Sequence, residues 1–189
     1  MKIKKLASLA LAVVLAATAL TGCGNSSDDP NAKTSSVGYP DEDGYAEGNL
    51  GDTMHTEFFD FTVNSAYTCA SYEDYIPMDG HQMLIAELTI KNTFSESIPM
   101  FDTDFQIQWS DDADEAYDFP ITIYLEAGKT VGANMFPDQY ELAKKESRTG
   151  ILAFEVPVGE TQFNISYQTV FEDESTGNMF FVFFSAKEQ

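Results

Sequence analysis

The chain has 189 residues, with 31 acidic and 10 basic side chains and a formal net charge of −21 at pH 7. This acidic balance argues against nucleic-acid binding, because proteins bind phosphate backbones with lysine and arginine. The length suits one domain with accessory segments, and a hydrophobic content of 43% is sufficient for a core.

The first 22 residues are organised like a secretory signal peptide. Lys2, Lys4 and Lys5 form a basic start, and residues 6–20 are an apolar run rich in Ala, Leu and Val. That run is shorter than the roughly 20 residues that a membrane-spanning helix needs. Residues 1–22 are therefore expected to be removed on export. The remaining chain has 7 basic and 31 acidic residues, a net charge of −24.

The signal peptide ends in Leu20-Thr21-Gly22-Cys23, which resembles the bacterial lipobox. The resemblance implies that Cys23 carries a diacylglycerol thioether and becomes the first mature residue. Two acyl chains suffice for stable anchoring. The alternative is an ordinary signal peptide in which the cysteine is incidental. The predicted location is the outer face of the cell membrane, with the membrane as a partner through Cys23.

Two further expectations follow, one from the lipidation of Cys23 and one from the composition of the segment after it. Cys69 is left without a disulfide partner, and its place in an apolar run favours a buried, inert thiol over a reactive one. Residues 23–50 are predicted to be an acidic, disordered tether, because they contain almost no aliphatic residues that could offset the entropy of ordering. The folded domain is then predicted to span residues 51–189.

Alternation with a period of two predicts β-strands throughout that domain. The central strand is expected at residues 80–93, GHQMLIAELTIKNT, where Leu84, Ala86 and Leu88 point to one face. Residues 59–63 form an earlier strand, and its apolar character continues to residue 70 with a change of phase. Further strands are predicted at residues 105–110, 116–124, 152–156, 163–168 and 179–184.

The connections between these strands carry turn signals. Residues 94–99 and 128–137 are expected to be loops, and residues 111–115 (DDADE) an exposed hairpin turn. Pro120 indicates an edge strand or a bulge. Residues 138–147 favour a helical turn at most, since their local propensity is helical. The expected fold is all-β, an immunoglobulin-like β-sandwich of about seven to eight antiparallel strands.

Several of these stretches resemble the DUF4352 family, a telokin-like, Ig-like domain of bacterial lipoproteins. The resemblance rests on Phe61-Thr62-Val63, on the strand that ends in Lys91-Asn92-Thr93, on residues 149–157 (TGILAFEVP) and on the tail at residues 163–171. It covers most of residues 51–189. It implies an Ig-like domain outside a Gram-positive cell, and it implies no established activity.

The residues offer little for catalysis or for cofactors. His55 and His81 lack a second histidine or cysteine at ligand spacing, and no serine, cysteine or threonine lies in a nucleophile motif. Acidic residues between Asp102 and Asp118 suggest either an exposed acidic turn or a calcium site. The turn is favoured, because an EF-hand's glycine and terminal glutamate are missing. No catalytic, cofactor or metal residue is therefore predicted.

The terminal run at residues 179–184, MFFVFF, leaves two interpretations open. A strand covered on both faces is favoured over an edge with one exposed, adhesive face. The predicted function is a lipid-anchored extracellular binding or interaction module without catalytic activity, whose ligand is an unknown protein or a wall component. The alternatives are an accessory or sensor subunit of an envelope complex, such as a transporter, and, less favoured, a wall-associated hydrolase.

Overall fold

Eleven β-strands in three sheets form most of the regular structure in residues 37–110 and 116–189, which are the residues that the computed structural model describes. The strands are β1 (Tyr45–Asn49), β2 (Thr53–His55), β3 (Phe59–Cys69), β4 (His81–Asn92), β5 (Ile98–Phe101), β6 (Phe105–Gln108), β7 (Tyr117–Asp118), β8 (Gln139–Leu142), β9 (Ser147–Pro157), β10 (Gln162–Val170) and β11 (Thr176–Ser185). Two 3-10 turns, Asp102–Asp104 and Ile121–Tyr124, lie between them. None of the helices described is long and apolar enough to span a membrane.

Two of the sheets form the layers of a sandwich. One sheet has the strand order β1-β11-β10-β6-β7, and the other has the order β2-β3-β4-β9. Strands β5 and β8 form a small third sheet. The β-sandwich predicted from the sequence is confirmed, with more strands than expected, several of them only two to five residues long. The pairs are antiparallel except for β1 with β11, which is parallel.

The main core lies between the two large sheets. Phe61 from one layer contacts Phe105 and Phe180 from the other, with ring centroids 5.3 and 6.4 Å apart. Leu84, Ala86, Leu88 and Ile90 of β4 all face this core, as their alternation predicts. β4 pairs with β3 on one side and with β9 on the other, which confirms its central place in the sheet.

A second apolar cluster covers the outer face of the four-stranded sheet. Met83 and Ile85 of β4 point outward, yet they are 0% and 1% exposed. Ile121 and Met135 from the long connection between β7 and β8 pack against them. β4 is therefore buried on both faces at residues 83–86, and polar side chains return to its outer face at Glu87.

The folded part of the chain begins earlier than predicted. β1 lies inside residues 23–50, which the sequence assigns to the tether, and Ala46 is 1% exposed. Its order comes from backbone pairing with β11 and from close packing of Gly48 against Met54. A Cβ at Gly48 would lie 2.3 Å from Met54 Cε. The inward-facing residues of β1, Ala46 and Gly48, are small. An alternation of large apolar side chains, which predicts the other strands, is therefore absent from β1.

The helical turn predicted at residues 138–147 is wrong, because this stretch begins with strand β8. β8 pairs with β5, which itself lies partly in the predicted 94–99 loop. Tyr140 stacks on Phe136 with a centroid distance of 5.5 Å, and the Arg148 guanidinium lies 4.6 Å from the Tyr140 ring centre. Strand pairing and aromatic packing outweigh a weak helical propensity.

The strand predicted at residues 116–124 is only partly present. β7 comprises Tyr117 and Asp118, and the chain then enters the 3-10 turn Ile121–Tyr124 directly after Pro120. Proline has no N–H group for a strand ladder, which explains the early end. The hairpin turn predicted at residues 111–115 lies outside the described residues.

Candidate functional site

An open cleft of about 320 Å³ lies at one end of the five-stranded sheet. The parallel pairing of β1 with β11 brings the carboxyl ends of both strands to this corner, and antiparallel β10 begins there. The residues that line the cleft are Asn49, Leu50, Gln162, Phe183, Phe184 and Ser185. All six are uncharged.

The pleat of the sheet selects which of these side chains meet on the outer face. Asn49 and Asn164 are both register partners of Phe183, and Gln162 is the partner of Ser185. Because side chains alternate along a strand, these residues share the face opposite the core. The Ser185 hydroxyl donates to Oε1 of Gln162 at 3.1 Å. This bond uses the amide oxygen of Gln162 and not its N–H groups.

Asn164 lies on β10, two residues further into the sheet than Gln162. Its side chain is buried, with 7% exposed, and its Oδ1 has no hydrogen-bond partner within the described part of the chain. A buried polar atom without a partner costs about 1–3 kcal/mol. On its other side, Asn164 is in register with Gln108 of β6, so uncharged amides continue across the sheet.

Phe183 supplies an aromatic surface to the cleft. Its ring is partly exposed and stacks on Phe181 with a centroid distance of 6.1 Å and an interplanar angle of 22°. Phe181 itself is 1% exposed and therefore holds its neighbour in place. The cleft thus offers a fixed ring face bordered by groups that can both donate and accept hydrogen bonds.

A second surface feature lies at the same end of the sandwich, on the four-stranded sheet. Glu155 of β9 is 2% exposed and accepts a hydrogen bond from the Tyr75 hydroxyl at 2.6 Å and from Met78 N at 3.1 Å. Burial, followed by this bond to Glu155, raises the pKa of Tyr75. The two bonds fix the 71–80 loop while leaving Ile76 and Met78 exposed at 80% and 58%.

The family described as Domain of unknown function (DUF4352) matches residues 48–177, which is more than half of the chain. The chain belongs to the DUF4352 family. The resemblance carried by the Lys91-Asn92-Thr93 and TGILAFEVP stretches is thereby confirmed. A comparison with curated proteins finds no match.

Solved structures similar to this DUF4352 chain come from several bacteria. A candidate lipoprotein of Staphylococcus aureus is 10% identical, with 75% of this chain and 94% of that chain covered and a TM-score of 0.47. An uncharacterised β-sandwich protein of Clostridium difficile is 11% identical, with 72% and 92% covered and a TM-score of 0.41. A candidate lipoprotein of Bacillus subtilis is 14% identical, with a TM-score of 0.46. The alignment covers 68% of the DUF4352 chain and only 37% of the B. subtilis protein. These likenesses are too distant to indicate a function.

The two histidines of this DUF4352 chain lie on different strands. His55 of β2 has its Nδ1 2.9 Å from Asp60 Oδ1, and His81 lies at the start of β4. Cys69 is partly buried, and burial raises the pKa of its thiol. Cys23 lies outside the described residues, so its lipidation stays a prediction.

The acidic cluster between Asp102 and Asp118 lies partly outside the described residues, because Asp111, Asp112 and Asp114 fall in residues 111–115. Of the described members, Asp102 and Asp104 lie in the first 3-10 turn, and Asp118 accepts hydrogen bonds from Phe119 N and from the Tyr124 hydroxyl. Within the described ranges, 37–110 and 116–189, no three His, Cys, Asp or Glu residues are placed to hold a metal ion. The calcium interpretation gains no support from the described geometry.

The terminal MFFVFF run is an interior strand, since β11 lies between β1 and β10. Phe180, Val182 and Phe184 face the main core, and Phe181 is also buried. The interpretation as a strand covered on both faces is right for these residues. Met179 and Phe183 are only partly buried, and the Phe183 ring forms part of the cleft.

The cleft is not predicted by the sequence pattern. The alternation of β10 places Asn164 outward, but an outward amide is ordinarily a solvated one. Asn49 falls in the segment assigned to the tether, and its proximity to Phe183 depends on the parallel β1–β11 pairing. One feature of the sequence could have indicated this face. On these strands, Gln and Asn residues occupy the outward positions and alternate with large apolar residues that point into the core.

Proposed function

We propose that this protein is a lipid-anchored binding module on the outer face of the cell membrane, without catalytic activity of its own. Cys23 carries the lipid, and the sandwich presents a binding surface to the extracellular space. The observation that carries the proposal is the open, uncharged cleft at Asn49, Gln162 and Phe183.

The anchor can be tested because the chain contains one matched control cysteine. Metabolic labelling with an alkyne-bearing fatty acid should label the wild-type protein, which should fractionate with membranes and be cleaved by protease added to intact cells. Cys23→Ala should lose the label and leave the membrane fraction. The expectation rests on the chemistry of the lipobox, in which the thioether forms on that sulfur alone.

Cys69→Ala should keep both the label and the membrane location, because its sulfur is packed beside the second apolar cluster. Retention of the label by Cys23→Ala would refute the anchor, and so would protection of the wild-type chain from external protease.

A second function, as an accessory subunit of an envelope complex, is favoured by a different observation. Ile76, Met78 and Val158 are 80%, 58% and 65% exposed, although they lie on turns fixed by backbone and carboxylate hydrogen bonds. Rigid, exposed apolar side chains are typical of protein interfaces. Cross-linking on intact cells separates the two functions, since a protein partner is captured through the 71–80 loop and a wall ligand through the cleft.

A further inference from the structure

We propose that the cleft at the ends of β1, β10 and β11 binds a neutral saccharide, with the Phe183 ring as a stacking surface and the Asn49 and Gln162 amides as hydrogen-bonding groups. This inference rests on the proposed function as a binding module and specifies its ligand class. The occupant is a polyhydroxylated, uncharged chain of the kind found in wall glycans.

The charge of the cleft is the first argument. In a chain with 31 acidic residues, none of the six residues lining this cleft is charged. Two carboxylates lie close to the cleft but outside its lining. Asp52 accepts the backbone N–H of Asn49 at 2.8 Å within a turn, and Glu47 lies two residues before Asn49 on the same face of β1, in register with Phe181. A cation finds no carboxylate in the lining, and an anion is repelled by the net charge of the domain.

Hydrogen bonding is the second argument. A side-chain amide presents two donors and an acceptor in one plane, and a sugar hydroxyl both donates and accepts. Asn49 and Gln162 line the cleft and are exposed, so their amides can form hydrogen bonds to a ligand there. Asn164 is buried and is not part of the lining.

The aromatic ring is the third argument. A sugar ring has an apolar face made of C–H groups, and such a face packs on a phenyl ring. The Phe183 ring is held in a stacked arrangement with buried Phe181, so little side-chain entropy is lost when a ligand covers it. Leu50, which is 38% exposed, extends the apolar surface at the rim.

The shape of the cleft favours part of a polymer over a small free metabolite. Sites for small molecules typically enclose roughly 300–1,000 Å³ and bury most of the ligand. This cleft, at about 320 Å³, lies at the lower limit and is open to solvent. An open cleft at the end of a sandwich allows a long chain to enter and leave on either side.

Saturation-transfer NMR on the full-length exported protein tests the proposal. The probes are two neutral oligosaccharides, the β-1,4-linked tetramers of N-acetylglucosamine and of glucose, and one charged control, the tetramer of galacturonic acid. Saturation transfer is expected to at least one neutral tetramer, with at least tenfold weaker binding of the charged one. Binding should also shift the side-chain NH₂ signal of Gln162, which lines the cleft.

Two variants locate the site. Phe183→Ala should weaken binding at least tenfold, and Gln162→Ala should weaken it several-fold without any change in the unfolding temperature, because Gln162 is exposed. The matched control is Phe171→Ala, an aromatic side chain that is 39% exposed at the opposite end of the sandwich. It should leave the affinity within about twofold of the wild-type value. That is a much smaller effect than the tenfold loss expected for Phe183→Ala, which corresponds to roughly 1.4 kcal/mol of binding free energy.

The proposal is overturned if neither neutral tetramer receives saturation, if the galacturonate binds equally well, or if Gln162→Ala and Phe183→Ala leave the affinity unchanged. Fatty-acid labelling at Cys23 is read independently of this titration. A labelled protein that binds no sugar would therefore refute the ligand class and leave the anchor intact. An unlabelled protein that binds a neutral tetramer would refute the anchor and leave the ligand class intact.

Discussion

Asp102 shows how strongly one buried carboxyl can set the pH response of this domain. Its side chain is 2% exposed, Oδ2 accepts a hydrogen bond from the Thr122 hydroxyl, and Oδ1 has no partner within the described residues. Burial raises the pKa of Asp102 to about 6, although the Thr122 hydroxyl and the nearby Thr103 amide lower it. Burial likewise raises the pKa of Asp104 to about 7.

These shifts determine the direction of the pH dependence. The folded chain holds protons on Asp102 and Asp104 at a pH where the unfolded chain has released them, since the ordinary value is 3.8. The contribution of both groups to the free energy of unfolding is therefore largest below about pH 4. It is lost as the pH rises through about 6 and 7.

Asp102→Asn should accordingly stabilise the domain at pH 7.5 by roughly 1–3 kcal/mol and leave its stability at pH 4 nearly unchanged. An asparagine can still accept from Thr122 without placing a charge in the core. Urea unfolding at the two pH values measures the effect. Asp43→Asn, at an exposed position, is the control and should change neither value; an equal gain at both pH values would contradict the argument.

At the scale of elements, the segment ahead of β1 is attached by a contact that depends on glycine. Gly38 has φ of +80°, and a Cβ there would lie 1.9 Å from the backbone oxygen of Thr53. His55 N donates to Gly38 O at 2.9 Å, and the Tyr39 ring stacks on His55 at 4.2 Å. These contacts hold the chain along β2 as it enters the domain.

Gly38→Ala should therefore detach residues 37–44 and cost about 2–4 kcal/mol, the sum of a steric clash and a positive-φ penalty. Gly159→Ala is the matched control, since φ is +94° there and an added Cβ meets nothing within 4 Å. It should cost only about 1 kcal/mol. Thermal unfolding measures the loss of stability in each variant, and amide hydrogen exchange measures the detachment of residues 37–44. Equal losses of stability in the two variants would refute the predicted clash at Gly38.

At the scale of the whole molecule, the early start of the fold has a consequence for stability. β1 pairs with β11 over five register partners and covers its outer edge, while Gly48 packs against fully buried Met54. A chain shortened to residues 51–189 would expose the edge of an aromatic-rich strand. Exposed, apolar strand edges promote aggregation.

The shortened chain should thus unfold at a temperature lower by roughly 10 °C or more than a chain of residues 37–189, since about 1 kcal/mol shifts the midpoint by 2–4 °C in a domain of this size. It should also self-associate on size-exclusion chromatography. Calorimetry on the two chains is the measurement. Coincident unfolding temperatures would show that β1 is dispensable.

Much of the sandwich could be predicted from large apolar residues at a period of two. β4, β9, β10 and β11 each place phenylalanine, leucine or isoleucine on alternate positions, and the burial of such side chains is the main driving force of folding. The predicted anchor at Cys23 likewise needs no tertiary structure, because a signal made of charge, apolarity and a cysteine in fixed order is linear.

Other features depended on pairing between distant parts of the chain. β1 and β8 are strands because β11 and β5 offer partners, and their own residues carry weak or contrary local preferences. The cleft arises from the same cause: Asn49 and Gln162 are far apart in sequence and meet only through their register with β11. Composition, alternation and the lipobox thus specified a β-sandwich and its predicted anchor. Only the tertiary structure placed neutral amides beside Phe183, because hydrogen-bonded register, unlike hydrophobicity, is a property of strand pairs.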